Sequence, residues 1–510
     1  MEKIKQFCII NKTKILFTLI LMIAIFTRVY KLNEIPYGVN VDEAGMAYDA
    51  YCLANYGTDR YLNKLPVYLM NFGCGQSALY AYLAAFFIKI FGFSIFVIRL
   101  PAVILGIVAI VCCYLIAKEF ISDKFALTFM ALVTICPWHI MASRWGLDCN
   151  LLAPMSIISL FLLVKAKKKM GYIIAGISFG LTLYTYALSY IILPIFLIAA
   201  VLYMLYTKKI TFKNVILMSI PIIILACPLI LFILVNKGLI NEINGVITIQ
   251  KLWCYRDNEL EFKNIFDNLT IFNKLYSNDS LVYNAFPEFG TMYFWASFLT
   301  VFGLFLEIEG LFKSIKSRKF EINSLFLFLY IAVAICMLII LGPNISKANA
   351  IFIPSLFFAC STIRVISKKY KIFLFLIVFL YYMSFGFFID FYFNTYSIKY
   401  KYQPFWEVDL IENIEYINEN FEGRNVIINT NSQQPYIYTL MLSRISPYEF
   451  KELRHSSVGY DFSYGKYYFY SSKIDKDAVY LVKGYDSFVE ILQKNGFKIE
   501  SRNSYIMAYK

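Results

Sequence analysis

Long apolar runs, separated by short clusters of lysine, fill the first 393 residues of this 510-residue chain. A helix needs about 20 predominantly apolar residues to cross the hydrocarbon core of a bilayer. Runs such as 96–117 and 215–235 meet that length, so most of the chain must fold within a membrane. The composition agrees, because 59% of the residues are hydrophobic and 16% are charged, against about 45–50% and about 25% in soluble domains.

The lysine clusters predict the topology. They lie at 118–124, 165–169, 208–213, 313–319 and 368–371. All five face the cytoplasm, as the positive-inside rule requires, if the short apolar run 78–93 does not cross. That run therefore indicates a helix that lies at the outer interface or dips in and back. These loops account for most of the formal net charge of +14. Because the topology explains this charge, we expect no nucleic acid as a partner.

This topology predicts a polytopic α-helical protein of the cell membrane with about eleven spans and a cytoplasmic N-terminus. Residues 1–393 form the transmembrane domain, with outer loops at 33–95 and 236–290. Residues 394–510 are too polar for a membrane and form a small extracytoplasmic α/β domain. The predicted spans are 15–30, 96–117, 125–142, 151–164, 171–188, 190–206, 215–235, 292–312, 324–341, 351–366 and 372–393.

The polar 394–510 segment shows alternating helix and strand patterns. Apolar residues recur at helical spacing over 407–421, which predicts an amphipathic helix. Short β-branched and aromatic runs predict strands. The remaining elements are strands at 426–429, 478–482, 497–499 and 505–509 and a helix at 487–494.

Two adjacent acids, Asp42 and Glu43, follow the first apolar run. A carboxylate at the bilayer centre costs about 2.5–3.5 kcal/mol on insertion scales, so acids close to a membrane need a reason to be there. One interpretation is that they begin a helix, since acids stabilise a first helical turn. The other is a catalytic role. Both stay open at this point.

Cations and a further acid lie at other predicted outer ends: Arg144 and Asp148 after the 125–142 run, and Lys347 after the 324–341 run. Arg and Lys bind phosphate through strong charge-assisted hydrogen bonds, and a carboxylate can take a proton from a hydroxyl. Together they indicate a pocket for a phosphorylated lipid. Alternatively, Arg144 and Asp148 form an i,i+4 ion pair on a helix end, and Lys347 contacts lipid headgroups. Arg99, a third candidate phosphate ligand, is favoured as a helix anchor that snorkels to the headgroups.

The chain resembles the C superfamily of membrane glycosyltransferases (GT-C), and within it the protein O-mannosyltransferase and aminoarabinose-transferase families. The acidic pair after the first helix carries this resemblance, together with four motifs in the same order. These are 75–83 (GQSALYAYL), 98–106 (IRLPAVILG), 137–148 (PWHIMASRWGLD) and 284–290 (NAFPEFG). The resemblance covers roughly residues 15–365.

The resemblance implies a hexosyl- or pentosyltransferase that uses a polyprenyl-phosphate-linked sugar on the extracytoplasmic face. It implies that Asp42 is the general base, that Glu43 is its neighbour or substitute, and that Asp148 is a second acidic site. Attack at the anomeric carbon inverts the configuration and releases the lipid phosphate. The donor's lipid tail lies between membrane helices, and the acceptor is a glycan, a lipid or a protein.

The chain also departs from these families. The aminoarabinose transferases have a Lys-Pro-Pro-Leu segment where this chain has Gln-Ser-Ala-Leu at 76–79, so the lysine that contacts the donor phosphate there is missing. No residue is assigned as a metal ligand and no cofactor is required, although a divalent metal ion stays open. Two other classes also stay open: a polysaccharide polymerase or ligase of the cell envelope, and a lipid or sugar transporter.

Overall fold

The computed structural model describes residues 11–255, 267–269, 284–342, 344–399, 401, 404–450 and 462–510, and the chain forms two compact units. The membrane unit comprises the described residues of 1–32, 99–231 and 256–392. The sheet unit comprises those of 33–98, 232–255 and 393–510. The predicted domain boundary at 393/394 stays a prediction.

The membrane unit consists of packed apolar helices. Seven helices in the described part of the chain are long and apolar enough to cross a membrane, and Ile322–Leu338 is a shorter apolar helix. The total of eleven spans therefore stays a prediction. The helices that lie mainly in this unit are Lys12–Val29, Ile95–Phe120, Asp123–Ile135, Pro137–Ala142, Leu152–Lys165, Lys169–Thr182, Ser189–Tyr206, Phe212–Asn236, Ser297–Ser317, Ile322–Ile335, Phe352–Lys369 and Lys371–Asp390.

The predicted continuous span 125–142 is wrong, because the helix Asp123–Ile135 ends before a second short helix, Pro137–Ala142. Proline lacks an N–H group and disfavours helical geometry in the residue before it, and Cys136 is accordingly extended. Carbonyls at the end of the helix Asp123–Ile135 lose their intrahelical partners. Arg28 donates to one of them, with 2.9 Å between its Nη1 and the Thr134 oxygen.

The sheet unit contains a six-stranded mixed sheet and two hairpins. The strands are β1 (Tyr68–Asn71), β2 (Cys74–Ser77), β3 (Ile243–Asn244), β4 (Thr248–Ile249), β5 (Val426–Thr430), β6 (Phe462–Tyr464), β7 (Tyr467–Phe469), β8 (Val479–Lys483), β9 (Lys498–Arg502) and β10 (Tyr505–Tyr509). In the six-stranded sheet the order is β6-β7-β5-β8-β10-β9; β5 runs parallel to β7 and β8, and the other pairs are antiparallel.

Helices pack around these strands, and the predicted helix and strand positions in 394–510 agree with the structure to within a few residues. Sequence reasoning missed the helix Pro435–Ser443 and the strands β6 and β7. Ile427, Tyr480 and Leu492 belong to a buried apolar core. The helices of this unit are Val41–Tyr56, Leu79–Phe91, Tyr396–Lys399, Val408–Asn420, Pro435–Ser443 and Asp486–Lys494.

The helix Leu79–Phe91 corresponds to the ambiguous apolar run 78–93. Its 13 residues extend about 20 Å at 1.5 Å per residue, which is shorter than the hydrocarbon core of about 30 Å. Tyr80 and Ala84 are buried, whereas Phe86 and Phe91 are exposed. One apolar face thus packs within the sheet unit and another remains uncovered, as a helix lying at a membrane interface requires.

Distant segments of the chain meet in the sheet unit. The Val39 N–H donates to the Trp406 carbonyl at 3.0 Å, and the Tyr48 hydroxyl donates to the Ile445 carbonyl at 2.7 Å. Gly38 has a φ of +67°, and a Cβ there would lie 2.2 Å from the Trp406 oxygen. Only glycine allows this approach, so the segment before Asp42 is matched closely to the C-terminal segment.

Candidate active site

Asp42 and Glu43 occupy the first turn of the helix Val41–Tyr56. Asn40 caps this helix, because its Oδ1 accepts a hydrogen bond from the Asp42 N–H at 2.9 Å, the arrangement that N-cap asparagines favour. Glu43 is buried, with 1% of its surface exposed, whereas Asp42 is half-buried. The two adjacent acids therefore differ in exposure, and Asp42 is the more accessible of the two.

A buried polar network holds the Asp42 carboxylate. Asn71 Nδ2 donates to Asp42 Oδ1 at 3.2 Å, and Asn71 Oδ1 accepts from Arg60 Nη2 at 3.2 Å. Arg60 in turn makes a bidentate pair with Asp49, with 3.0 Å from Nε to Oδ1 and 2.7 Å from Nη2 to Oδ2. Arg60 and Asp49 are fully buried, so one oxygen of Asp42 is oriented by side chains that are themselves fixed.

Gly45 allows this network to reach the helix. A Cβ at this position would lie 2.4 Å from Asn71 Oδ1 and 2.8 Å from Arg60 Nη2, which is closer than side-chain atoms tolerate. Sequence reasoning missed Asp49, Arg60 and Asn71. A glycine inside an otherwise helical segment is the signal that marks such a close approach.

Tyr438, also missed from the sequence, lies against the segment that leads into Asp42. Its buried hydroxyl donates to the Val39 carbonyl at 3.2 Å. Burial raises the pKa of Tyr438 well above its usual value, and the negative charges of Glu407, Asp42 and Glu43 raise it further. The phenol therefore stays protonated and acts as a hydrogen-bond donor.

Asp148 lies in the membrane unit, at the start of the short 3-10 helix Asp148–Leu151, and is 6% exposed. Its Oδ1 accepts a hydrogen bond from the Cys149 N–H at 2.7 Å. Arg144 follows the end of the helix Pro137–Ala142, so Arg144 and Asp148 do not share a helix. The predicted shared helix end is therefore wrong, and an ion pair between the two side chains stays a prediction.

Arg144 binds main-chain carbonyls. Its Nη1 donates to the Thr27 oxygen at 3.0 Å, and its Nη2 donates to the Tyr30 oxygen at 2.8 Å and the Lys31 oxygen at 3.2 Å. These carbonyls lie at the end of the first helix, Lys12–Val29, where intrahelical donors are missing. Arg144 thus satisfies a helix terminus.

Arg99 acts in the same place, because its Nη1 donates to the Leu32 oxygen at 3.0 Å. The side chain is fully buried. The predicted snorkelling to lipid headgroups is therefore wrong, since it requires an exposed guanidinium. Together with Arg144, Arg99 fixes the chain where it leaves the first helix, and any contact of either residue with phosphate stays a prediction.

Within the membrane unit, Asn349 connects the turn that carries Lys347 to the turn that carries Asp148. Its Nδ2 donates to the Cys149 carbonyl at 2.9 Å and lies 3.3 Å from Asn150 Oδ1. Its Oδ1 accepts from Trp138 Nε1 at 2.8 Å. Lys347, which is half-buried, precedes Asn349 by two residues. The structure thus brings together the turns that carry Asp148 and Lys347.

Asn284, which belongs to the 284–290 motif, extends the same network. Its Nδ2 donates to Asn150 Oδ1 at 3.3 Å, and its Oδ1 accepts from Trp145 Nε1 at 2.8 Å. All these asparagines are buried, and buried amides must be paired because an unmade hydrogen bond there is costly. Two of the four motifs, 137–148 and 284–290, are therefore joined through Asn150 and Asn349 into one bonded cluster in the membrane unit.

Asp42 and Glu43 belong to the sheet unit, whereas Arg99, Arg144, Asp148 and Lys347 belong to the membrane unit. Within the described ranges, no group of three or more His, Cys, Asp or Glu side chains is arranged to hold a metal ion. A divalent metal ion therefore has no assigned ligands in this part of the chain.

Comparison with known proteins connects this architecture to one fold. Residues 76–235 match the sequence model of the family described as dolichyl-phosphate-mannose-protein mannosyltransferase. The structure is similar to that of ArnT from Cupriavidus metallidurans bound to undecaprenyl phosphate, with a TM-score of 0.59, 11% identity and 98% of each chain covered. The apo form of that protein gives a TM-score of 0.57, 12% identity and 98% coverage of each chain.

The Archaeoglobus fulgidus oligosaccharyltransferase in its apo form is a more distant match, with a TM-score of 0.47, 13% identity, and coverage of 86% of this chain and 64% of that one. A comparison with curated protein sequences gives no match. The predicted fold class is confirmed by the ArnT likeness over nearly the whole chain. The chain is a multi-pass membrane protein with the GT-C fold.

Proposed function

We propose that the chain is a membrane glycosyltransferase that moves a sugar from a polyprenyl-phosphate donor to an acceptor hydroxyl. Two findings support this activity: the mannosyltransferase match over residues 76–235, and a fold shared with an ArnT that was solved with undecaprenyl phosphate. Both point to a lipid-phosphate donor. The excess of lysine in the predicted cytoplasmic loops supports placing the reaction on the extracytoplasmic face.

The half-buried Asp42 carries the mechanistic proposal. Asp42 combines partial exposure with a fixed orientation, since Asn71 holds one of its oxygens. Asp42 takes the proton of the acceptor hydroxyl while the oxygen of that hydroxyl attacks the anomeric carbon. The bond from the anomeric carbon to the phosphate oxygen breaks, and its electron pair leaves with the lipid phosphate. Attack opposite the leaving group inverts the anomeric configuration.

The roles of the other predicted residues differ according to their burial. Glu43 is buried beside Asp42, and we assign it to shaping the helix start. Lys347 is the half-buried cation among the candidates, and it binds the donor phosphate as a point charge. Arg99 and Arg144 hold the chain after the first helix through carbonyls and contribute positive potential. Asp148 is a second acidic site held by its own turn. The proposed transfer does not involve a metal ion.

Transfer from a radiolabelled polyprenyl-phosphate sugar in membranes tests the proposal. Loss of a general base costs about 10²–10⁴-fold in rate, so Asp42→Asn is expected to reduce transfer by that factor at equal protein level and equal thermal stability. Asp477→Asn, which changes an exposed acid of the same sheet unit, serves as the matched control and is expected to retain full transfer. Full transfer by Asp42→Asn would overturn the assignment of the base.

A further inference from the structure

Both main-chain polar groups of Val39, which precedes Asp42 by three residues, are bound by the C-terminal segment 393–510 of the sheet unit. The Val39 N–H donates to the Trp406 carbonyl at 3.0 Å, and the Val39 carbonyl accepts from the Tyr438 hydroxyl at 3.2 Å. Trp406 and Tyr438 are both buried. Two consecutive peptide units thus have buried partners, and buried main-chain groups need such partners. These bonds therefore determine the direction in which the chain enters the Asp42 helix.

Asn40 extends this constraint into the helix itself. Its Oδ1 accepts from the Asp42 N–H at 2.9 Å, and its Nδ2 donates to the Phe405 carbonyl at 3.2 Å. The two ends of one amide thus connect the main chain of Asp42 to the C-terminal segment. Asn71 orients the Asp42 carboxylate from the β1–β2 hairpin. The side chain and the main chain of Asp42 are therefore held by different parts of the sheet unit.

The C-terminal partners are preceded or followed by residues with uncommon backbone conformations. Glu407, which follows Trp406, has a φ of 45°, and Gln434, which precedes the helix Pro435–Ser443 that carries Tyr438, has a φ of 48°. Left-handed conformations are unfavourable for residues other than glycine, persist only where the surrounding structure enforces them, and are concentrated at functional sites. The fold, rather than local preference, thus places these two partners.

The helix Pro435–Ser443 packs against the Asp42 helix, Val41–Tyr56. The negative charges of Asp42 and Glu43 are close enough to raise the pKa of the Tyr438 hydroxyl, in addition to the larger effect of burial. Tyr438 therefore lies beside the acidic pair, and its protonated hydroxyl is available to donate to the main chain that leads into Asp42.

We propose that Tyr438 is a positioning residue for glycosyl transfer, and that the C-terminal segment 393–510 serves the reaction by fixing the start of the Asp42 helix. This inference rests on the proposed role of Asp42 as the base. Tyr438 acts indirectly, through the Val39 carbonyl. Because the position of a reacting group affects the transition state more than the binding of the substrate, the effect is expected in kcat rather than in KM.

Tyr438→Phe tests the inference, because it removes only the hydroxyl. In transfer from a polyprenyl-phosphate sugar, kcat is expected to fall about tenfold, the effect of about one hydrogen bond, with an unchanged KM for the donor. Hydrogen–deuterium exchange of the full chain in detergent gives a second readout that needs no substrate. Exchange is expected to be faster in peptides that cover residues 38–44, since local opening there becomes easier.

Tyr480→Phe is the matched control in the same unit. Its hydroxyl also donates to a main-chain carbonyl, that of Lys473 at 3.1 Å, and the side chain belongs to the buried core of the sheet. This variant is expected to keep the wild-type kcat and the wild-type exchange at residues 38–44. An equal loss of kcat in Tyr480→Phe and Tyr438→Phe would overturn the inference, because it would show a general effect on the fold.

Asn40→Ser tests the same connection if Tyr438→Phe does not fold. Serine keeps an acceptor that can cap the helix but lacks the amide that donates to the Phe405 carbonyl, so lower kcat and faster exchange at residues 38–44 are again expected. Wild-type kcat and exchange in the folded variants would overturn the positioning role. If Asp42→Asn still loses transfer in that case, the proposed base stands; full transfer by Asp42→Asn would instead remove the base on which this inference rests.

Discussion

Buried polar groups are paired differently at the acidic helix start of the sheet unit and in the asparagine-rich cluster of the membrane unit. In the sheet unit, Arg60 is paired with a carboxylate, Asp49. In the membrane unit, Arg144 and Arg99 donate to neutral main-chain carbonyls, and asparagines connect the turns. The first arrangement leaves one acid, Asp42, half-exposed, whereas the second buries Asp148.

This difference shows that a polar residue at a membrane boundary has two distinct uses. A helix end leaves carbonyls without donors, and in a bilayer no water is present to satisfy them. An arginine can meet that need without any catalytic role. A half-buried carboxylate with a fixed neighbour, by contrast, is available to a substrate. Exposure and partner type, rather than residue type, therefore separate the two uses.

The largest effect is expected from Arg60→Met. This change leaves the Asp49 carboxylate buried without its bidentate partner, and removing one member of a buried pair costs about 3–5 kcal/mol. Thermal unfolding of the purified protein should show a large loss of stability, and transfer should fall because Asn71 loses an anchor. Arg424→Met, in the same unit, removes solvent-exposed hydrogen bonds from a half-buried arginine to two carbonyls and is expected to have little effect.

The double variant Asp49→Leu/Arg60→Met tests whether the unpaired Asp49 carboxylate causes the loss of stability in Arg60→Met. Replacing both charges with apolar groups can be close to neutral, so it should regain much of the stability lost in Arg60→Met. A stability of Arg60→Met equal to that of wild type would show that the sheet unit does not depend on this ion pair.

An intermediate effect is expected from Arg144→Met and Lys347→Met. The first variant tests the binding of main-chain carbonyls, and the second tests the binding of the donor phosphate. Arg144→Met leaves buried carbonyls unpaired and should lower the free energy of unfolding by about 1–3 kcal/mol. Lys347→Met should keep its stability and raise the KM for the lipid donor about tenfold, since charge-assisted hydrogen bonds contribute about 1.5–3 kcal/mol. The reverse pattern, in which Arg144→Met changes only the donor KM, would assign the phosphate to Arg144.

The smallest effect is a pH dependence in the sheet unit. Burial and the charge of Asp49 raise the pKa of Asp59 to about 7, above about 3.9 in the unfolded chain. The folded state therefore binds more protons between these values, and stability falls as pH rises towards about 7 and is level above it. From about pH 6 to 7 the loss is about 1 kcal/mol. Melting temperatures of wild type and Asp59→Asn across this range should diverge; parallel curves would contradict the assignment.

Hydrophobic spacing predicted much of the fold, because a strand such as β5 or a helix such as Val408–Asn420 has a local pattern that matches its burial. The position of Asp42 at a helix start was also predictable. Its partners were not: Asn71 reaches Asp42 only because the β1–β2 hairpin forms, and Asn349 meets Asn150 across 199 residues of chain. Arg99 and Arg144 were expected at a surface, since no local pattern shows that a helix end elsewhere needs a donor.

The approach of Gly38 to Trp406 has a consequence for the order of biosynthesis. The cap residue Asn40 donates to the Phe405 carbonyl, 365 residues later in the chain. A ribosome that adds about 5–20 residues per second needs roughly 20 to 70 s to cover that distance. Throughout that interval the Asp42 helix lacks the partners that fix its start. The acidic site is thus among the last parts of the protein to mature, after the final long apolar helix, Lys371–Asp390, has been made.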